Sequence, residues 1–448
     1  MQALFFFIVA LSILVVIHEF GHFWVARRCG VKVLKFSVGF GRPLWKRLGR
    51  DGTEYILAAI PLGGYVKMLD EREGEVAAEQ LDQTFNRKSL AARTAIVAAG
   101  PIANLLFAIF AYWLIFIIGI PGIRPIIDEI IVDSPASYAQ LSAGDEIKQI
   151  NGTDTPTWSS VRKALFKISQ SGGTANITVS LGGIEVERQL EIAKIDLDAS
   201  VTTPLLNELG LIPLQIKYKP IIGAIVGGGS AKKAGLEEGD ELLLFEGEPI
   251  NDWAEWVQLI RSHADTEMAI TIVRDGEQLD LLITPSKTAN NIGKIGAGLD
   301  VTKTAIPDYL QAELRYGPIT AIGYAVQETW DFSSSTVKGL VGMLIGTVSS
   351  KNIGGPITIA QIAGASAEQG LIAFIYFLAM ISVSLGILNL LPIPILDGGH
   401  LVMNLIEWLR GKPLSENAQL QGQKIGIILL LSLMFLAFFN DLTRLFGS

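Results

Sequence analysis

His18-Glu19-Phe20-Gly21-His22 closes an almost uninterrupted apolar run over residues 4–17, and these five residues are the strongest chemical signal in the chain. Two histidines four apart on a helix lie about 40° apart around the axis and about 6 Å apart along it, so both imidazoles can grip one metal ion. The Glu between them can then reach a water on that metal. This is the H-E-x-x-H arrangement, in which two His bind zinc and the Glu is a general base. An ionisable residue inside an apolar span costs roughly 2.5–3.5 kcal/mol and marks a functional site by default. The plainer alternative is a chance match at a helix end, in a chain with only 4 His among 448 residues.

Catalytic zinc takes three protein ligands and keeps a fourth position open. The remaining histidines are His263 and His400, and the apolar run over 371–396 leads into Asp397-Gly398-Gly399-His400. If the first run and this one cross the membrane in the same direction, their C-terminal ends reach the same side. His18 then lies about 25 Å along its helix, near the boundary at which Asp397 arrives. Pro392 and Pro394 break the helix and let side chains turn toward a cavity. Asp397 is therefore the expected third ligand. His400 is the alternative, as is an Asp that merely marks the membrane exit.

The elements that must position these groups are membrane helices. The chain is 50% hydrophobic with a mean hydropathy of +0.41, and charged residues are 18%, too few for an ordinary soluble enzyme. Uncharged stretches over 4–17, 95–123, 371–396 and 425–440 give four spanning helices. Residues 1–26 contain no Lys or Arg whereas 27–93 hold thirteen, so the positive-inside rule puts the N-terminus outside and the 27–93 loop in the cytoplasm. Both termini and the long 124–370 stretch are then extracytoplasmic, with the metal motif near the cytoplasmic side. The first run lacks a basic n-region and a cleavage site before its motif, so it is not a removable signal. A net charge of −8 gives no reason to expect nucleic-acid binding, and the lone Cys29 excludes an intrachain disulfide.

Between the second and third spans lies a repeat. Gly144/Gly239, Asp145/Asp240 and Gly152/Gly247 share an offset of 95 residues, which means tandem domains and not a solenoid. Each copy reads as a short helix, a tight G-D turn, an apolar strand and a hairpin. A second helix follows around 158–169 and 253–263, and later strands over 175–181 and 268–274. This resembles the circularly permuted PDZ domain, whose groove takes an extended peptide by strand addition. Leu209-Gly210-Leu211 and Gly296-Ala297-Gly298 are the candidate carboxylate-binding loops. The alternative is that both copies only block access. The first copy reads Ala139-Gln140-Leu141 where the second has Ala234-Gly235-Leu236, a departure that weakens the case for its groove.

The loop after the first span carries Val38-Gly39-Phe40-Gly41 and, further on, Ile60-Pro61-Leu62-Gly63-Gly64-Tyr65-Val66-Lys67-Met68. Alternation around the second run suggests a β-hairpin. Irregular backbone at membrane depth is tolerated where it lines a protein cavity, so this is a candidate edge strand beside the metal. Together with H-E-F-G-H, Ala-Gly-Pro-Ile-Ala-Asn ending at Asn104, Gly-Gly-Pro-Ile-Thr at 354–358 and Asn389-Leu-Leu-Pro-Ile-Pro-Ile-Leu-Asp397-Gly-Gly, these motifs resemble the site-2 protease family along the whole chain.

That resemblance implies an intramembrane zinc (Zn²⁺) metalloprotease of the bacterial inner membrane. His18, His22 and Asp397 would be metal ligands and Glu19 the catalytic acid/base. Asn389 would bind substrate, and Gly39, Phe40, Gly41 and Tyr65 are candidates beside it. Asn104 would support the core or glue helices. The substrates implied are single-pass membrane proteins already cut once outside the membrane, such as anti-sigma factors and signal-peptide remnants, in a stress response by regulated intramembrane proteolysis. A membrane anchor with two peptide-binding modules would instead bind no metal, and a transporter would show symmetric membrane halves. A different integral zinc peptidase would need a Glu from another span.

The expected fold is thus a polytopic α-helical membrane protein with four transmembrane helices, two inserted PDZ-like β+α domains and a membrane-associated cytoplasmic β-hairpin loop. Its expected parts are a helix over 1–28, the loop with a re-entrant hairpin over 29–93, a helix over 94–121, PDZ-like domains over 122–215 and 216–303, amphipathic membrane-surface helices over 304–369, a helix over 370–400, a cytoplasmic loop over 401–423 and a helix over 424–446.

Overall fold

The computed structural model describes residues 2–194, 205–214, 217–288, 291–300, 306–412 and 414–446, so the domain boundaries expected at 215/216 and 303/304 lie outside the described residues. The chain divides into two compact units, Met1–Ile120 with Arg315–Gly447, and Pro121–Leu314.

The first unit is helical. Helix α1 spans Gln2–Arg28 and α2 spans Leu90–Ile118. Ser89 starts α2 by accepting the Ala92 N–H, which satisfies one of the unpaired donors of the first turn. Later helices cover Pro318–Ile345, Pro356–Gln369, Leu371–Asn389, Asp397–Arg410 and Glu416–Phe446. Among the described residues, four segments are long and apolar enough to cross a membrane: Gln2–Arg28, Leu90–Ile118, Leu371–Asn389 and Asn417–Arg444. This is the architecture of a polytopic helical membrane protein.

Two details differ from the sequence reading. The third span stops at Asn389, because Pro392 and Pro394 cannot donate to a continuing helix. Asp397 then opens a separate helix instead of ending the span, and much of the expected 401–423 loop is helical. The reversal is tight: a Cβ on Gly398 would strike the Leu390 and Leu391 carbonyls, and one on Gly399 the Ile393 carbonyl. Glycine is required at both places by close approach of backbone.

The loop between α1 and α2 forms two long paired strands, β1 (Val33–Leu48) and β2 (Glu54–Met68). The hairpin thus includes the Gly39-Phe40-Gly41 run, which lies in a strand and not in a free loop. Each strand bends. Residues 35–38 pair with 64–67 on one side and with 54–57 on the other, while 45–48 pair with 54–57. Gly39 and Gly41 make the bend at φ +91 and +88, a region costly to side chains.

The second unit holds two modules whose element order matches through the four-stranded sheet; a helix, Leu205–Leu209, then follows in the first and a short strand pair, Ser286–Lys287 and Gly293–Lys294, in the second. Four-stranded antiparallel sheets run Thr153–Asp154, Glu146–Ile150, Gly173–Leu181, Ile184–Ile192 in the first, and Glu248–Pro249, Glu241–Phe245, Met268–Arg274, Glu277–Ile283 in the second. Helices Trp158–Ser169 and Trp253–Ser262 contribute Val161 and Leu165, and Trp256 and Ile260, to the two apolar cores. The backbone repeats with the sequence. Left-handed φ angles recur at Asp133/Gly228, Gln140/Gly235, Gly144/Gly239, Asn151/Glu246 and Gly152/Gly247, all 95 residues apart. Gln140 keeps the turn at φ +57 where the second copy uses Gly235 at +84. The departure in sequence is absorbed as local backbone strain and not as a different fold.

Candidate metal centre

The first unit brings three donor atoms from two distant segments to one point. His18 Nε2 and Asp397 Oδ2 are 3.1 Å apart, His22 Nε2 and the same oxygen 3.5 Å, and the two imidazole Nε2 atoms 3.2 Å. Zinc bonds to N and O ligands of about 2.0–2.1 Å in a tetrahedron imply edges of about 3.3 Å. The triangle has that size, and two imidazoles with one carboxylate are a donor set zinc accepts.

Helix α2 is the template that sets this triangle. His22 Nδ1 donates to the Ile96 carbonyl at 2.8 Å, a buried bond that leaves the Nε2 lone pair for the centre. His18 Nδ1 lies 3.2 Å from the Asn104 amide. Helices α1 and α2 approach through small residues: a Cβ on Gly21 would strike the Ala99 carbonyl, and one on Gly100 the His22 Nε2. The Asp397 helix is in turn bound to α2, where Arg93 clamps Glu407 through contacts of 2.5 and 3.2 Å and Asn404 donates to Thr94. The Asn389-to-Asp397 turn and this clamp fix where the carboxylate arrives.

Glu19 is half-buried beside the triangle, with the Val66 backbone amide near its carboxylate. Strand β2 therefore touches the site. A Cβ on Gly64 would sit 2.9 Å from Val15 and 3.1 Å from Glu19 Cγ. Phe40 and Tyr65 stack with ring centroids 6.2 Å apart, and both stay partly exposed. Gly39 and Gly41 flank that ring. Asn389, the last residue of its helix, is half-buried and its amide makes no hydrogen bond among the described residues. His400, one turn beyond Asp397, is exposed and outside the triangle. His263 ends a helix in the second unit and bonds the Leu259 carbonyl.

The candidate loops of the two modules occupy equivalent places. Ile131 N–H donates to the Gly210 carbonyl and Val226 N–H to the Gly296 carbonyl, with φ +79 and +74 at the two glycines. Their surroundings differ. Leu209 and Leu211 are buried in the first core. Gly296 and Gly298 line a groove of about 430 Å³ against Trp253, Val257 and Ile260.

The Ile96 carbonyl and the Arg93–Glu407 clamp escaped sequence reasoning. A backbone acceptor leaves no trace in residue type, and two charges 314 residues apart are not a motif. Gly100 was visible as part of Ala-Gly-Pro, but its role depends on the ring it faces.

A helical membrane unit that closes two imidazoles, a carboxylate and a neighbouring glutamate around one point is the construction of an integral membrane metallopeptidase. The sequence profile of peptidase family M50 matches residues 6–433. The regulator of sigma-E protease RseP of Salmonella typhimurium is 45% identical over 441 residues, covering 98% of each chain. The protein of that name from Escherichia coli K12 is 45% identical over 445 residues, again covering 98% of each chain. A putative zinc metalloprotease of Vibrio cholerae is 43% identical over 443 residues, with 98% of each chain covered. The chain belongs to peptidase family M50, the site-2 proteases, and is a zinc metalloprotease.

Proposed function

We propose that the chain cleaves single-pass membrane proteins inside the bacterial inner membrane, with His18, His22 and Asp397 holding the zinc and Glu19 moving the proton. The single observation that carries this is the closure of the three donor atoms into one triangle beside Glu19. Zinc bound there supplies a Lewis acid for the scissile carbonyl and brings water ionisation toward neutral pH. Glu19, packed against strand β2 at Gly64, takes a proton from the attacking water as the water oxygen bonds the carbonyl carbon. The peptide C–N bond then breaks and Glu19 returns the proton to the leaving amine. Asn389, with its free amide, is the candidate hydrogen-bonding partner of the substrate backbone. A helical substrate shields its own peptide bonds, so it must be extended first. The 64–68 strand with Gly39, Phe40, Gly41 and Tyr65 is the candidate surface for that extension.

The substrates we infer are membrane proteins already shortened outside the membrane: an anti-sigma factor, in keeping with the sigma-E regulators among the relatives, and signal-peptide remnants. The orientation inferred from Lys and Arg places both termini and the two modules in the periplasm. The modules are read as PDZ-like, acting as a filter against bulky outer domains or as a reader of the new C-terminus. The groove at Gly296–Gly298 supports the second role more than the filled surroundings of Gly210 do. Zinc analysis of the wild type beside Asp397→Ala, with cleavage of a membrane-embedded reporter on the same samples, tests the site. Both zinc and cleavage should be lost, and an Asp397→Ala protein that keeps both overturns the assignment. Deleting both modules separates a filter, which predicts cleavage of the intact substrate, from a scaffold, which predicts none.

A further inference from the structure

Asn104 is fully buried on α2, and its side chain presents an unresolved pairing. Its Nδ2 faces His18 Nδ1 at 3.2 Å, while its Oδ1 is buried with no hydrogen-bond partner. A His18 ring that gives its Nε2 lone pair to a metal carries its proton on Nδ1, and that N–H needs an acceptor. The two ends of a primary amide have the same shape, so turning the Asn104 side chain by 180° exchanges them in place. That one rotation supplies the acceptor to Nδ1–H and pairs the oxygen, with the amide NH2 moving to the place the oxygen held. The residue is also anchored through its main chain: Ser382, fully buried on the Leu371–Asn389 helix, donates to the Asn104 carbonyl at 2.8 Å. The arrangement mirrors the one across the triangle, where the Ile96 carbonyl accepts from His22 Nδ1.

We propose that Asn104 is the positioning residue for His18: its Oδ1 accepts the Nδ1–H, fixing the tautomer and the ring angle with which His18 meets the zinc. The proposal rests on the reading of His18 as a zinc ligand. It gives the motif ending at Asn104 a task distinct from helix packing, since packing needs only the shape of the side chain and positioning needs its acceptor oxygen.

The test is zinc affinity of the full chain in detergent, by competition with a chelator, together with the visible spectrum of the cobalt-substituted protein. Outer partners of metal-bound His are worth about 10–100-fold in metal affinity. Asn104→Leu, similar in size and without an acceptor, should weaken zinc by that factor and shift the cobalt bands. Asn104→Asp, which accepts and does not donate, should hold zinc within about threefold of wild type and keep the bands. Wild-type affinity in Asn104→Leu overturns the proposal, and so does an Asn104→Asp protein as weak as Asn104→Leu. Where Asn104→Leu does not assemble, Asn104→Asp alone decides: wild-type affinity and bands support the role, and a tenfold loss overturns it. His18→Ala separates the two readings. If it binds zinc as tightly as wild type, the ligand assignment itself fails. If it loses zinc while Asn104→Leu does not, only the positioning role falls.

Discussion

The two units bury carboxylates for opposite reasons. Asp145 and Asp240 in the paired modules are almost fully buried, and each accepts a backbone N–H three residues back, from Ser142 and from Glu237. Asp240 also receives Arg274 through bonds of 2.8 and 2.7 Å. These aspartates are satisfied by their own turns, which is why they recur at a fixed offset. Asp397 in the membrane unit faces two imidazole nitrogens, with the Glu19 carboxylate nearby. A cluster of that kind is costly without a cation to share. A repeated acidic motif can thus be wholly structural, while an unrepeated one at a broken helix completes the proposed metal site.

The sharpest way to break this comparison is Glu19→Gln. The change keeps shape and removes the base, so cleavage of a membrane-embedded reporter should fall by about 10²–10⁴-fold with zinc content unchanged. Cleavage at the native rate would remove Glu19 from the mechanism. Gly100→Ala ranks next. Its new Cβ would run into His22 Nε2 and crowd His18, so the imidazoles must move and zinc affinity should drop by about tenfold or more. A Gly100→Ala protein with wild-type affinity would mean that α2 can retreat and is not the rigid template described.

In the modules the expected effects concern stability and leave the metal alone. Asp240→Ala removes the buried partner of Arg274, which keeps the Gly235 carbonyl and Glu237, and unmakes a turn, at a cost of about 2 kcal/mol. Asp145→Ala loses a turn bond with no cation attached, at about 1 kcal/mol. Hydrogen exchange of the Glu241–Phe245 and Glu146–Ile150 strands in the intact chain reads both. Equal losses in the two modules would show that Arg274 adds nothing.

How much of this was legible depended on whether the signal was local. His18, Glu19 and His22 declare themselves because helical spacing alone puts them on one face. Asp397 followed from counting membrane crossings, although its helix did not: two prolines and two glycines turn the chain so that Asp397 begins a new element. The module turns were legible because Gly and Asp repeat, and Gln140 shows the limit, since a non-glycine at φ +57 reads as a broken motif and folds as an intact one. Nothing in the sequence marks the Ile96 carbonyl, and the long strand β1 was half-hidden because it bends at two glycines instead of ending there.

The smallest expected effect is a pH dependence in the first module. Glu146 accepts Arg124 at 3.0 and 2.5 Å and lies 2.8 Å from Lys148. Burial alone would raise its carboxyl, but the two cations outweigh that and hold it below the usual carboxylate range. A group with a depressed folded value stabilises the fold above its unfolded value of about 4.3 and loses that contribution as pH falls through the folded one. Because the Arg124 side chain is 36% exposed, solvent screening limits the term to about 1 kcal/mol. Protection of the Glu146–Ile150 strand should therefore hold from neutrality down to about pH 4.5 and then decline, and Glu146→Gln should flatten that decline. At the same offset in the second module, Glu241 meets Lys219 at a more open 3.4 Å. An acid decline that persists unchanged in Glu146→Gln would show that the Arg124 pairing does not carry it.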